Sequence, residues 1–405
     1  MAVSIKEKTE CCGCSACVNV CPRKCIFMKR DLEGFEYPEI DKASCINCNL
    51  CEKVCPMLQE KMSKCVQQAY AAVNTDEKVR MKSSSGGLFY SIAKHIISLG
   101  GVVFGAALEE NSKRVTHIVV EHIEDLHKLQ KSKYVQSKIG TTYAEARRIL
   151  ESGKLVLFSG TPCQVNALHF YLGKNYENLI CVDLICHGVP SPKLWEMYID
   201  SIEKSNHISV SNVIFRYKLS DWSELGKHKI DRRTCVICKL RYSDPFIQMF
   251  LKNYSLRPSC YDCNAKESKS ADITLGDFWG IEKICPELND GKGVSLVLIR
   301  SSKGKRLIDK VEGEILLKEV SYENAIQYNV SEYTSTKIPE NREEFFYDMN
   351  ELEFKKLAKK YLPLSFRSKV IDICSYSKIY RYFKPIKSQI SNYDWCIAIE
   401  QKKGR

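Results

Sequence analysis

The sequence predicts a small α+β domain at the N-terminus, an α/β domain with a mainly parallel sheet, and a basic C-terminal extension. Three observations carry this expectation. One four-cysteine spacing occurs twice within residues 1–60, strand and helix patterns alternate from residue 68 onward, and the final stretch holds most of the excess positive charge. With 405 residues the chain exceeds one ordinary hydrophobic core, so two or three domains are expected. The boundaries that follow are residues 1–62, 66–330 and 331–405.

The first cysteine run is Cys11, Cys14, Cys17 and Cys21 with Pro22 after it, and the second is Cys45, Cys48, Cys51 and Cys55 with Pro56. Both have the spacing of bacterial ferredoxins, in which the fourth cysteine of each run ligates the other run's cluster. A tight loop presents three thiolates to three irons of a cubane but cannot reach round to the fourth. One 4Fe–4S cluster is therefore expected on Cys11, Cys14, Cys17 and Cys55, and a second on Cys45, Cys48, Cys51 and Cys21. A zinc site needs ligands in two pairs, and a disulfide framework needs an exported chain. Cys12 and Cys25 are surplus to these ligands and read as packing residues. The N-terminal domain is thus ferredoxin-like and moves single electrons.

The opening MAVSIKEKTE lacks the apolar core of a signal peptide, and no apolar run approaches the roughly 20 residues of a membrane span. Together with 21 cysteines, this predicts a cytoplasmic protein whose thiols hold metal. The net charge of +12 is unevenly placed: residues 1–60 carry eight basic and nine acidic residues, whereas residues 351–405 carry thirteen and five. Tyr376, Tyr380, Tyr382 and Phe383 interleave with those cations. The tail suits an acidic membrane surface or an oxidoreductase partner, or a solvated, helical surface extension. No motif points to nucleic acid.

Residues 58–64 read as a polar linker, and 68–74 as a strand. Leu88, Ile92, Ile96 and Leu99 share a helical face over 87–99, which Gly100 and Gly101 end. Strands are expected at 102–107 and 115–121, with a helix at 141–152. A strand at 155–158 runs into Ser-Gly-Thr-Pro and a helix at 164–172. The strand at 179–185 finishes on Cys186, His187 and Gly188. Further strands are expected at 213–217, 272–275 and 294–300. Such β–α repetition predicts a mainly parallel sheet covered on both faces.

Two places in this domain carry chemistry. Ser83 to Gly87 precede a helix, where free amides suit a phosphate and serines suit N-capping; no dinucleotide or P-loop fingerprint accompanies them. Cys163 follows a strand and opens a helix, which favours its thiolate. Cys186 ends the next strand, so both sulfurs belong at the carboxyl edge where ligands bind. With the pair Cys260 and Cys263 they make a third cubane site. Zinc on Cys235, Cys238, Cys260 and Cys263 is the rival, since the two pairs lie 21 residues apart, as in a zinc ribbon.

These residues resemble the coenzyme F420 hydrogenase/dehydrogenase beta-subunit family. The matching stretches are SSSGGLFYSIAKHIISLGGVVFGA, KSKYVQSKIG, LVLFSGTPCQVNAL, DLICHGVPS, RPSCYDC and ADITLGDFWG, in order between residues 83 and 280. The resemblance implies an FAD-binding α/β domain with its own 4Fe–4S cluster beside the flavin, and favours Cys163, Cys186, Cys260 and Cys263 as ligands. It makes Ser85, Gly86 and Gly87 candidates for the flavin diphosphate, places Lys133, Tyr134, Gln136 and Ser137 along the flavin, and puts Gly160 and Thr161 near its ring. His187 is the candidate proton donor, or a satisfied histidine without catalytic duty. The chain runs more than a hundred residues past GDFWG, beyond compact members of the family.

The implied function is an iron–sulfur flavoprotein oxidoreductase that takes electrons from a ferredoxin-like donor and reduces a small organic substrate. Ferredoxin-headed relatives are tied to surface-polysaccharide gene clusters. Two alternatives stand beside it: a dehydrogenase of the reduced deazaflavin coenzyme passing electrons to a partner, and a non-catalytic electron-transfer subunit.

Overall fold

A computed structural model describes residues 5–218, 236–240, 243–362 and 396–401. The N-terminal unit has an antiparallel hairpin of β1 (Ile26–Arg30) and β2 (Glu36–Ile40), with Ile26 opposite Ile40. Two short helices, Ala16–Val20 and Leu50–Lys53, each hold the third cysteine of a run. The repeat in sequence is a repeat in backbone. Gly13 and Ser15 have φ of 70° and 60°, and their counterparts Asn47 and Asn49 have 52° and 61°. Gly and Asn tolerate this left-handed region best. Left-handed residues in such turns aim peptide N–H groups into one concavity, which suits an anion. The Gly13 N–H donates to Cys11 Sγ at 3.4 Å.

The body is built on an eight-stranded sheet in the order β12-β3-β11-β10-β7-β6-β4-β5. Its strands are β3 (Gln68–Asn74), β4 (Val102–Leu108), β5 (Val115–Val120), β6 (Val156–Ser159), β7 (Leu179–Leu184), β10 (Ile273–Asp277), β11 (Ser295–Ile299) and β12 (Ile315–Val320). The four central strands β10, β7, β6 and β4 are mutually parallel, and β3 shares their direction, because it is antiparallel to β11, which is antiparallel to β10. The expected parallel sheet is therefore a mixed one with a parallel centre and antiparallel flanks. The cause is connection length at one edge: β5 follows β4 after a loop too short for the crossover a parallel neighbour needs. Both faces are covered. Helices Leu88–Ser98 and Ser302–Val311 pack through Leu88, Ile92, Ile96, Leu307 and Ile308 on one side. Helices Thr142–Glu151 and Pro162–Leu172 pack through Tyr143, Ile149, Val165 and Leu168 on the other.

A separate three-stranded sheet sets β13 (Cys396–Gln401) between β8 (Val210–Tyr217) and β9 (Val236–Leu240). The extension expected to be helical thus ends as a strand. Ile397 and Ile399 alternate into the core formed by Trp195, Tyr198 and Phe246, a period of two that only a strand provides. Helices Arg342–Glu351 and Phe354–Tyr361 bury Phe345, Phe346 and Leu357 in the same core, so residues 342–361 are part of the packed body. Arg342 also reaches the N-terminal unit, donating to both carboxylate oxygens of Glu33 at 3.1 and 2.7 Å. Tyr376, Tyr380, Tyr382, Phe383 and Cys235 lie outside the described residues. Among the described residues, no helix is long and apolar enough to cross a membrane.

Candidate metal centres

Three cavities have cysteine walls. An outer one of about 340 Å³ is lined by Cys21, Cys45, Cys48 and Cys51, and an inner one of about 340 Å³ by Cys11, Cys14, Cys17 and Cys55. Each set takes three cysteines from one run and the fourth from the other, as the spacing predicts. A third cavity, of about 680 Å³, is lined by Cys163, Cys186, Cys260 and Cys263. Among the described residues, no three His, Cys, Asp or Glu side chains are gathered to hold a single ion. The four thiols lining each cavity are the donor set that a 4Fe–4S cluster would need. Burial pushes the Cys17 and Cys186 thiols up to about 12. Such thiols stay protonated at neutral pH unless metal takes the proton's place.

The third site is assembled at the carboxyl edge of the parallel strands. β6 ends at Ser159, and helix Pro162–Leu172 starts with Cys163 in its first turn. That turn is fixed by a capping box: the Thr161 N–H donates to Gln164 Oε1 at 3.0 Å. Gln164 Nε2 then donates to Ser137 Oγ at 3.0 Å, which ties the GTPCQ and YVQSK stretches together. β7 ends at Leu184, two residues before Cys186. Gly188 has φ of 143°, and a Cβ there would lie 2.9 Å from Leu256 Cδ1 and 3.3 Å from Cys260 Cβ. Glycine at this position lets the two cysteine segments close on each other. Lys266 Nζ donates to the Cys186 carbonyl at 2.6 Å, bringing a cation to the cavity wall.

Cys12 and Met57 line both the inner and the third cavity. The Cys12 thiol is in hydrogen-bonding contact with those of Cys14 and Cys163. It is therefore a shared wall, a role its position beside Cys11 did not reveal. Cys25, the other surplus cysteine, stands 3.4 Å from Cys21, sulfur to sulfur, at the rim of the outer cavity. Cys260 and Cys263 face Cys163 and Cys186; the rival zinc set rests partly on Cys235, outside the described residues.

The residues expected to hold a flavin are spread along the same sheet edge. Gln136 Nε2 donates to the Cys12 carbonyl at 3.0 Å, and Ser137 is clamped by Gln164. Gly160 N–H donates to the Val182 carbonyl at 3.1 Å. Lys133 Nζ donates to the Lys128 and Gln130 carbonyls, and burial pushes it down to about 7. Tyr134 packs between Phe215 and Phe250. Ser85 and Gly86 do not fit a diphosphate cradle: Ser85 Oγ donates to the Val294 carbonyl at 2.6 Å and Gly86 N–H to Ser295 Oγ at 2.9 Å. Gly87 caps the following helix with φ of 91°, so no serine does. His187 lines the third cavity, with Nε2–H donating to Asn253 Oδ1 at 2.7 Å and its ring against Phe250. Burial pushes it below its ordinary range, which favours the neutral ring.

Residues 153–324 match the family model for the C terminus of the coenzyme F420 hydrogenase/dehydrogenase beta subunit, and residues 10–58 match a 4Fe-4S dicluster domain. The chain is 23% identical over 238 residues to a coenzyme F420-dependent sulfite reductase of Methanocaldococcus jannaschii, covering 58% of this chain and 36% of that protein. It thus spans about a third of that relative's length. A chain of the F420-reducing NiFe hydrogenase complex of Methanosarcina barkeri superposes with a TM-score of 0.43 at 17% identity, over 76% of this chain and 95% of that one.

Proposed function

Because residues 153–324 belong to the coenzyme F420 hydrogenase/dehydrogenase beta-subunit family and residues 10–58 form a 4Fe–4S dicluster domain, we propose that this chain relays single electrons through three iron–sulfur centres to a small organic substrate. The observation that carries the proposal is the contiguity of the cysteine cavities, with Cys12 and Met57 common to the inner and third ones. A bound cubane stores one electron, and its surroundings set the potential. The chain's own residues supply order. Cys48 is exposed at the outer site, which makes that site the entry, whereas Cys14 and Cys17 are buried at the inner one. Thr161, Gln164 and Gly188 hold the third site at the sheet edge, and His187 stands there as a neutral proton carrier for a substrate.

FAD is the finer part of the proposal, as the group that would match one-electron centres to two-electron chemistry. Gly87, Lys133, Tyr134, Gln136, Ser137, Gly160 and Thr161 are the residues proposed to border it. A surface-polysaccharide intermediate is the proposed substrate, and a ferredoxin-like protein the proposed donor. One observation favours a second reading: the sulfite reductase relative is named for coenzyme F420, so the reduced deazaflavin would be the electron source. In a third, the chain is an electron-transfer subunit of a larger oxidoreductase.

Anaerobic purification with iron, sulfide and flavin counted per chain tests the proposal, followed by mixing with reduced ferredoxin or reduced coenzyme F420. Three cubanes require about twelve irons; about eight would remove the third site. One flavin per chain supports the flavoprotein reading, and none removes it. Reduction by ferredoxin alone selects the first reading, and reduction by the deazaflavin selects the second. Activity seen only in complex with a co-purifying oxidoreductase selects the third.

A further inference from the structure

Five arginines are buried among the described residues: Arg80, Arg216, Arg257, Arg300 and Arg342. Four have a carboxylate partner, in Asp290, Asp277, Glu332 and Glu33 respectively. Arg257, only 1% exposed, has no carboxylate among its hydrogen-bond partners in the described residues. Its Nε donates to the Cys11 carbonyl at 2.7 Å, and Nη1 to Gln136 Oε1 at 3.1 Å. Nη2 donates to the Glu36 carbonyl at 2.9 Å and to Cys11 Sγ at 3.5 Å. The rings of Tyr37 and Phe35 lie 4.4 and 5.4 Å from the guanidinium. A buried charge without a counter-charge is strongly destabilising, so the anion must come from something this arrangement already touches. Cys11 belongs to the inner cysteine set.

The two cysteine runs differ where Arg257 lies. A Cβ on Gly13 would sit 2.7 Å from Arg257 Nη1 and 2.9 Å from its Cζ. The equivalent position of the other run is Asn47, a residue with a side chain in the same left-handed conformation. The glycine in the first run is therefore space for the guanidinium, not only freedom of backbone.

We propose that Arg257 is the counter-ion of the inner 4Fe–4S cluster and raises its reduction potential. The inference rests on the cluster reading above and adds a residue to it. Adding an electron to an anionic cluster in a dry interior is unfavourable, because no water relaxes round the new charge. A guanidinium that donates an N–H to a ligand sulfur opposes that penalty. It keeps the inner centre from becoming an uphill step between the solvent-facing outer site and the third site.

The test is a potentiometric titration of the iron-loaded full chain, followed by electron paramagnetic resonance, for the wild type, Arg257→Gln and Arg257→Lys. The expected result is unchanged iron, one cluster's midpoint moved to a more negative potential in Arg257→Gln, and part of the shift recovered in Arg257→Lys. Iron retained with every midpoint unchanged overturns the proposal. Should Arg257→Gln not fold, wild-type protein with isotopically labelled guanidinium nitrogens is reduced and studied by pulsed resonance. Coupling of labelled nitrogen to one cluster supports the assignment, and its absence overturns it. Fewer than about eight irons in the wild type would instead defeat the two N-terminal cubanes themselves.

Discussion

Replacing Cys260 by serine should remove the third centre and leave the N-terminal pair intact. Cys260 lines only the third of the three cysteine cavities. The alcohol is a poor ligand for iron at neutral pH, since it does not ionise as a thiol does. Iron should therefore fall from about twelve to about eight per chain, one cubane of three. Cys163→Ser should behave differently. The Cys12 thiol already touches Cys163 and can serve as a substitute ligand, so most of the iron should stay until Cys12→Ala is added to the same chain. The assay is iron and sulfide analysis of anaerobically purified protein, with spectra at low temperature to count reducible centres. Unchanged iron in Cys260→Ser would refute the third centre. Full loss in Cys163→Ser alone would show that Cys12 cannot substitute.

Acid should weaken the fold through the buried His117 and the half-buried His169. His117, stacked on Phe158 with Nδ1 unpartnered, and His169, with Nε2 unpartnered, are both pushed by burial from near 6.5 down to about 4. The folded state then binds fewer protons than the unfolded chain between those values, so stability falls as pH drops from about 6.5 towards 4 and levels off below. The loss is at most about 3 kcal/mol for each ring; urea unfolding at stepped pH should show His117→Phe with a shallower acid limb. Gly86→Ala should destabilise by about 3 kcal/mol or more, because the new Cβ would lie 2.1 Å from the Ala72 carbonyl oxygen and 2.7 Å from the Ser295 nitrogen. Both are backbone atoms of sheet strands and cannot step aside. Gly313→Ala, where a Cβ meets nothing within 4 Å, is the neutral control in thermal unfolding.

The cysteines were the most legible part of the chain. Ligand spacing is local chemistry, and the structure gathers each expected set of four in one cavity. The edge position of Cys163 and Cys186 followed from strands that end just before them. Strand direction was less legible, because apolar runs such as 294–300 reveal that a strand exists and not which way it runs; β11 proves antiparallel to both its neighbours. β13 was missed because it lies far along the chain from β8 and β9, its partners. The Ser85 and Gly86 groups look free for a phosphate in the sequence, yet the Val294 carbonyl and the Ser295 hydroxyl, at the entry to β11, take them. Arg257 stood in a quoted motif without a role, since its meaning lies 246 positions away at Cys11.

The joint between the N-terminal unit and the body has a bearing on how the protein is made. Gly34 sits so close to helix Pro192–Asn206 that a Cβ there would meet Lys193 Cβ at 2.4 Å. Arg342 clamps Glu33, Lys138 pairs with Glu36, and Arg257 is sealed beneath. This is a packed seam, held by ion pairs between side chains of the two units, rather than a tether. It also orders biogenesis. Closing the seam before iron arrives would entomb a bare guanidinium beside protonated thiols, whereas closing it afterwards buries a neutralising pair. On the three-centre proposal, iron delivery and closure become one maturation event, and limited proteolysis should find a chain starved of metal open at this seam.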